Sequence, residues 1–528
     1  MKDLPDLPIS FDGKICSSFV EALGQCVESG RVLKQIRSKR QVYCIEKHLR
    51  LLECKSVVVE TKYVDHDFLE DYSAYYVRCF RLYNRTCIRL HCFAEQFTAS
   101  DIEHIIVGQD KETTGKAKDS YLGFIVIRPL QNTIIGKTCL VPCKLKHCDK
   151  FSFFKALCKI EVSFFGLGFC VECMPFQEQD KIVSTCATSA LWSALNITSK
   201  RFYHAAPSPA KISILAKQRG VSLRRAIPNR YGLSANEMAY VIRNFGLDVL
   251  AVDFHHMLPS IRKNSLLGNL YAYLNLGVPV LLLGEFRKEG KSIGKHAVVV
   301  NGYKIRSAAN AVPILPEERL YACTIIKEIF VNDDGVGPYV NMEIPEIRRG
   351  SVDMLTLWHG GDEIQRSFEV QYLLVPVYDK IRVSYEEVWN MAYPFDSMAE
   401  FFVSSFKMKW RIRLVRSNDF KKMLRERYDI SEKDRFDVLR RGMPKYLWEI
   451  AVIVDNVENA IFCVDATDAG QGINIVLSIF LYVDLLKIAD VLQQMGCFDA
   501  RPNAICEECI KALRSDFSQD EFHFAYSH

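Results

Sequence analysis

The amino-acid sequence predicts an α+β protein with more than one domain, and three observations carry the prediction. A chain of 528 residues exceeds what one hydrophobic core can organise. Between about residues 55 and 175, β-branched and aromatic runs dominate. Beyond residue 185, helices come first and a block of strands follows, without the βαβ alternation of a nucleotide-binding fold. The pattern divides the chain into a β-rich domain with leading helices (1–175), a central domain (176–383) and a mixed α+β domain (384–528).

Taken in order, Phe19–Leu33 and Val42–Leu52 mix apolar and charged residues without strand alternation and predict helices. The runs SVVVETKYV, AYYVRCFRLY, TCIRLHCFA and YLGFIVIRPL predict strands, and residues 159–176 predict a hairpin about Gly166 and Gly168. Ser184 or Thr185 then caps a helix starting at Cys186, with Ala187, Ala190, Leu191, Ala194 and Leu195 as its apolar stripe. Ser208 and Pro209 open a helix that ends at Gly220. Ser234 to Glu237 reads as a capping box for a helix closed by Gly246. A further helix runs from about Ser265 to Leu276. VPVLLLGEF, HAVVVNGY and TIIKEIFVND predict three strands, the last running into a turn at Asp333-Asp334-Gly335. The final third predicts helices near Tyr385–Ala392, Asp419–Tyr428 and Val483–Met495. Its predicted strands are Lys407–Val415, Trp448–Val454 and Ile461–Val464.

Composition bounds the function. The net charge of +5 is small for this length and gives no general argument for nucleic acid. No apolar run reaches bilayer length, so no membrane partner is expected. The first residues show neither a basic n-region nor an apolar h-region, and the nineteen cysteines are an odd number. Reduced thiols in a cytoplasmic protein are the expectation.

Cys186 falls in a first helical turn, where free N–H groups and the helix dipole favour thiolate over thiol. Acyl transfer by a thiol also needs a base, a group that orients the base, and donors for the oxyanion. His296 heads a strand whose next residues, Ala-Val-Val-Val, are plainly buried. Asp333 ends a neighbouring strand. Gln179 precedes the cysteine and can offer its amide, with the Cys186 N–H as second donor.

The order Cys, His, Asp, with Gln ahead of Cys and a His-Ala-Val-Val-Val-x-Gly-Tyr strand, resembles the papain-like cysteine peptidases, closest to their bacterial C39-like branch. The likeness covers about residues 176–345. It implies a papain-like catalytic domain between the flanking domains, with Cys186 as nucleophile, His296 as general base, Asp333 as orienting acid and Gln179 as oxyanion donor. The sequence departs from that pattern in two places. Ala187 stands where the family often has Gly, and Gln179 is one residue farther from Cys186 than usual, so Gln177 is an alternative donor. Asp334 and Asn332 are alternatives to Asp333. The resemblance implies an intracellular thiol hydrolase acting on a peptide or isopeptide amide, without cofactor or metal. Its partners would be a protein or peptide substrate, with further proteins docking on the flanking domains. A transamidase or deamidase would use the same residues, and a binding or scaffold protein the same fold.

Weaker signals have plainer readings. Cys497, Cys506, Cys509 and His523 are too loosely spaced for a zinc site. Cys170 and Cys173 fall on opposite faces of one strand. His255-His256 reads as a loop pair. Lys407, Lys409, Arg411 and Arg413 share one face of a strand, which reads as a solvated face rather than a phosphate-binding stripe. Arg219, Arg224, Arg225 and Arg230 read as a loop or a cleft that favours acidic substrates.

Overall fold

A computed structural model describes residues 15–26, 30–143, 151–218, 226–229, 231–257, 259–288, 291–305, 320–321, 325–344, 353–356, 366–392, 408–454, 457–470 and 475–480. The protein is mixed α+β with antiparallel sheets, as expected. It divides into two compact units, not three segments. One unit takes residues 1–259, 277–305 and 327–377; the other takes 260–276, 306–326 and 378–528. The expected boundary near residue 175 is therefore not a unit boundary. The chain crosses it inside one core, where Phe176 bridges to Thr138 and the N-terminal strands and central helices share side-chain packing.

The first unit begins with β1 (Ile15–Cys16), α1 (Phe19–Cys26), α2 (Gly30–Arg37), α3 (Arg40–Leu51) and β2 (Ser56–Tyr63). It continues through α4 (His66–Ala74), β3 (Cys87–Phe93), α5 (Ala99–Val107), α6 (Lys111–Asp119), β4 (Tyr121–Ile127) and β5 (Ile135–Leu140). Strands β1 to β5 pair in sequence order as one antiparallel sheet. Alternation assigns its two faces. Val57, Val59, Leu90 and Ile125 face the core shared with the leading helices. Val58, Phe93, Phe124 and Val126 face a second core. That second core is completed by the hairpin of β7 (Cys158–Phe164) and β8 (Leu167–Cys173); a short β6 (Ser152–Phe154) precedes it.

The expected strand AYYVRCFRLY is instead the end of α4, one 3₁₀ turn (Tyr76–Arg78) and a loop. Asp65 caps α4 by accepting from the Phe68 N–H. Tyr76 is buried and its hydroxyl donates to Asp180 at 2.6 Å, while Phe80 and Leu82 are fully exposed. Strand propensity loses here because, among the described residues, no neighbouring strand pairs the segment.

Next come α7 (Cys186–Phe202), α8 (Pro209–Ala216), α9 (Ala235–Asn244) and β9 (Leu247–Asp253). Ser208 and Ser234 cap as expected, the latter in a capping box with Glu237. After α10 (Pro259–Leu276) follow β10 (Val280–Lys288), β11 (Lys291–Ile305), a short β12 (Leu320–Tyr321), β13 (Ile326–Asp333), β14 (Gly337–Glu343), β15 (Asp353–Thr356) and β16 (Arg366–Tyr378). Strands β10, β11, β13, β14, β15 and β16 pair in that order, and β16 pairs back to β10, closing a ring. Closure leaves these six strands without a free edge apart from the sites where β6 and β9 add on. Gly284 sits where a Cβ would lie 2.0 Å from the Glu369 carbonyl oxygen, so the β10–β16 approach requires glycine there.

The second unit holds α10, β12, α11 (residues 385–392), β17 (Met408–Arg416), α12 (Ser417–Arg425), α13 (Glu432–Arg440), β18 (Tyr446–Val454), β19 (Val457–Asp465) and β20 (Ile475–Phe480). Its sheet runs β12-β17-β18-β19-β20. On β17 the basic face is not simply solvated. Arg411 and Arg413 both donate to the fully buried Glu449, at 2.7 and 2.8 Å, and Arg411 also pairs with Glu458. Lys407, the Arg219–Arg230 set, Cys497, Cys506, Cys509, His523 and the expected helix 483–495 lie outside the described residues. Among the described residues no helix is long and apolar enough to cross a membrane.

Candidate active site

Helix α7 is buried along almost its whole length and packs on β11 and β10. That placement brings its first residue, Cys186, to the strand that carries His296. Thr185 is the N-cap, but its side chain makes no capping hydrogen bond. The N–H groups of the first turn therefore keep their donating capacity for another acceptor. Cys186 is half-buried and a free thiol.

His296 lies opposite Gly284 in the β10–β11 register, with the Phe286 ring 4.9 Å from its own. Its Nε2 is 2.9 Å from Asp333 Oδ1. The remaining ring nitrogen, Nδ1, is the one left for the thiol, and Cys186 is among the groups that act on the ring's proton affinity. Burial works to strip the proton from His296. The adjacent Asp333 carboxylate, its hydrogen bond and Cys186 outweigh this and hold the imidazole pKa well above its ordinary value. The site thus favours the imidazolium over the neutral ring.

Asn332, Asp333 and Asp334 differ in what their side chains contact. Asp333 Oδ1 takes the imidazole and the Gly335 N–H, the latter at 2.9 Å. Asn332 is turned elsewhere: its Oδ1 accepts from Asn301 and the Tyr339 N–H, and its Nδ2 donates to the Pro175 carbonyl. Asp334 Oδ1 stands 3.8 Å from His296 Nε2, and neither of its carboxylate oxygens has a hydrogen-bond partner. Burial pushes the Asp334 carboxyl up to about 7; His296 works against that rise and Asp333 adds to it.

The two glutamines differ. Gln179 is half-exposed on the wall of a cavity of about 570 Å³ shared with Lys39, Gln41, Glu178 and Gly335. Gln177 is 3% exposed, and its amide Nε2 is buried without a hydrogen-bond partner. An oxyanion donor needs an amide that is not already spent, and Gln177 keeps one. The position six before the cysteine is Asp180, which organises the loop into α7. Its Oδ1 accepts from the N–H groups of Ile182, Val183 and Ser184 at 2.8–2.9 Å.

Two further positions escaped the sequence reading. Gln41 on α3 donates through Nε2 to the Asp334 carbonyl at 2.9 Å, and the Cys44 thiol meets the Pro338 carbonyl. Both hold the turn after Asp333 from nearly three hundred residues away, and no local pattern marks them. Cys170 is exposed and Cys173 buried on β8, and His255 pairs with Asp253 in an exposed loop, both as expected.

No family model, curated protein or solved structure matches the chain.

The site makes stability pH-dependent. At both Asp334 and His296 the folded protein holds protons more tightly than the unfolded chain, so stability falls as pH rises. For Asp334 the loss begins near the unfolded value of about 4 and is complete above about 7. The His296–Asp333 contribution is full below about pH 6.5 and is lost as pH climbs through the higher folded value of His296. The urea midpoint should decline from pH 5 to 8. Asp334→Asn should flatten the part of that decline below pH 7, and an unchanged slope in the variant would refute the assignment.

Proposed function

We propose that the protein is a thiol hydrolase of the papain-like kind, acting on an amide carbonyl of a peptide or protein through Cys186, His296 and Asp333. The observation that carries this reading is the Asp333 carboxylate 2.9 Å from the His296 imidazole, on the strand against which a buried helix packs with Cys186 as its first residue. In this mechanism Sγ attacks the carbonyl carbon, and the first-turn N–H groups with Gln177 Nε2 receive the oxyanion. His296 gives its proton to the departing amine, leaving a thioester. It then takes a proton from water, which attacks the thioester and regenerates the thiolate. Asp333 keeps the ring in one orientation throughout. An amine in place of water makes the reaction a transamidation, and a side-chain amide as substrate makes it a deamidation.

The experiment is a digest of a proteome-derived peptide library by the native chain and by Cys186→Ala, with new termini, amine adducts and deamidated side chains read by mass spectrometry. Products found with the native chain alone support the reading and identify the acceptor. Identical product sets would leave the scaffold reading in its place.

A further inference from the structure

Among the described residues, His296, Asp333 and Asp334 bring one ligand-type atom each within 4.8 Å of one another. Two buried carboxylates facing a single imidazole edge make an unusual charge balance. With both carboxylates ionised, a single protonated imidazole leaves the group an excess negative charge in a buried place. The Asp334 side chain is 2% exposed, and neither oxygen has a hydrogen-bond partner. A carboxylate so placed, with an imidazole 3.8 Å away and no hydrogen bond, is costly to ionise, and a proton or a cation offsets that cost.

We propose that these three side chains bind a divalent transition-metal ion of the zinc class, and that the ion switches the Cys186 site off by taking the imidazole nitrogen that Asp333 otherwise holds. The geometry supports the ion. Tetrahedral bonds of about 2.0–2.1 Å to N and O place the ligand atoms roughly 3.3–3.4 Å apart. The His296 Nε2 distances to Asp333 Oδ1 and Asp334 Oδ1 are 2.9 and 3.8 Å, one on either side of that span. One imidazole and two carboxylates suit zinc, cobalt or manganese better than calcium. The outer support is already built: the Gly335 N–H holds Asp333 Oδ1, and Gln41 holds the Asp334 backbone. A cavity of about 570 Å³ is lined by Gln41, which holds the Asp334 backbone, and by Gly335, which follows Asp334 in the chain. Binding stands apart from the hydrolase reading; the switching half rests on it.

The test titrates the full chain with Co²⁺ and follows its visible ligand-field bands and the near-ultraviolet band that thiolate ligation adds. Subtracting Asp334→Asn removes ion held by other thiols. The native chain and Cys186→Ala should each bind one such ion without the thiolate band. Asp334→Asn and, independently, His296→Ala should weaken it at least tenfold. Co²⁺ should also slow iodoacetamide labelling of Cys186 in the native chain and not in Asp334→Asn. Equal affinity in both His296→Ala and Asp334→Asn, loss of the site in Cys186→Ala, or no binding at millimolar Co²⁺ would overturn the proposal. Binding without an effect on labelling would overturn the switch. Slow labelling of Cys186 without metal, with Asp334-dependent binding intact, would remove the hydrolase reading and leave the metal site.

Discussion

Replacing His296 with alanine should slow iodoacetamide labelling of Cys186 at pH 6 by about a hundredfold. An ordinary thiol, with a pKa of about 8.5, is roughly one part in three hundred thiolate at that pH. The proposed mechanism requires the thiolate as nucleophile, and the somewhat lower nucleophilicity of a thiolate paired with an imidazolium trims the expected advantage to about two orders of magnitude. The imidazolium is favoured because Asp333, 2.9 Å from Nε2, outweighs the burial of the ring. The measurement has its own standards. Cys26, Cys44 and Cys158 are pushed up to about 12 by burial and should hardly react. Cys170, exposed on β8, should label at an ordinary rate in both proteins. Asp333→Asn should fall between the native chain and His296→Ala, since the ring remains but its charge is no longer held. A Cys186 that labels no faster than Cys170 in the native chain would mean that the pair does not activate the thiol, and the hydrolase proposal would fall with it.

The elements that were legible in the sequence are those written in local chemistry. Ser208 with Pro209 and the Ser234–Glu237 box announce α8 and α9 because capping needs only neighbours. The buried run after His296 announces β11, and Phe330-Val331-Asn332 places Asp333 at the end of β13. What stayed hidden depends on partners distant in the chain. The β10–β16 pairing that closes the ring joins residues about ninety apart, and Gln41 reaches Asp334 across 293. The basic face of β17 reads as solvated only while Glu449, on the next strand, is unseen. Gln179 took precedence over Gln177 because spacing to Cys186 was the only criterion available. Burial and an unspent amide set Gln177 apart from Gln179, and neither is a property of spacing.

Asp180→Ala should cost about 4 kcal/mol of stability and also disable Cys186, although Asp180 takes no part in the chemistry. Its Oδ1 receives three successive backbone N–H groups, from Ile182, Val183 and Ser184, and its Oδ2 receives the Tyr76 hydroxyl at 2.6 Å. Alanine leaves all four donors without an acceptor in a site that is 6% exposed. Each buried orphan costs on the order of 1–3 kcal/mol, and some relief from entering water brings the sum to about 4. Asparagine is the informative comparison. Its Oδ1 can keep the three N–H bonds, and its amide can donate to the Tyr76 oxygen, so Asp180→Asn should lose only about 1–2 kcal/mol. The consequence for the thiol follows from what the loop carries. Lys181 sits at φ 63°, a left-handed conformation that the loop imposes, and two residues after Ser184 the chain enters α7. Once the knot is cut, the loop relaxes toward ordinary φ values and the first turn of α7 loses its fixed approach to β11. Urea titration reads the stability, and Cys186 labelling at pH 6, taken well below the unfolding midpoint, reads the placement. Asp180→Ala should label at least tenfold more slowly than Asp180→Asn. A loss below 1 kcal/mol, or labelling equal in the two variants, would show that α7 is placed by its own packing on β10 and β11 and needs no help from the loop.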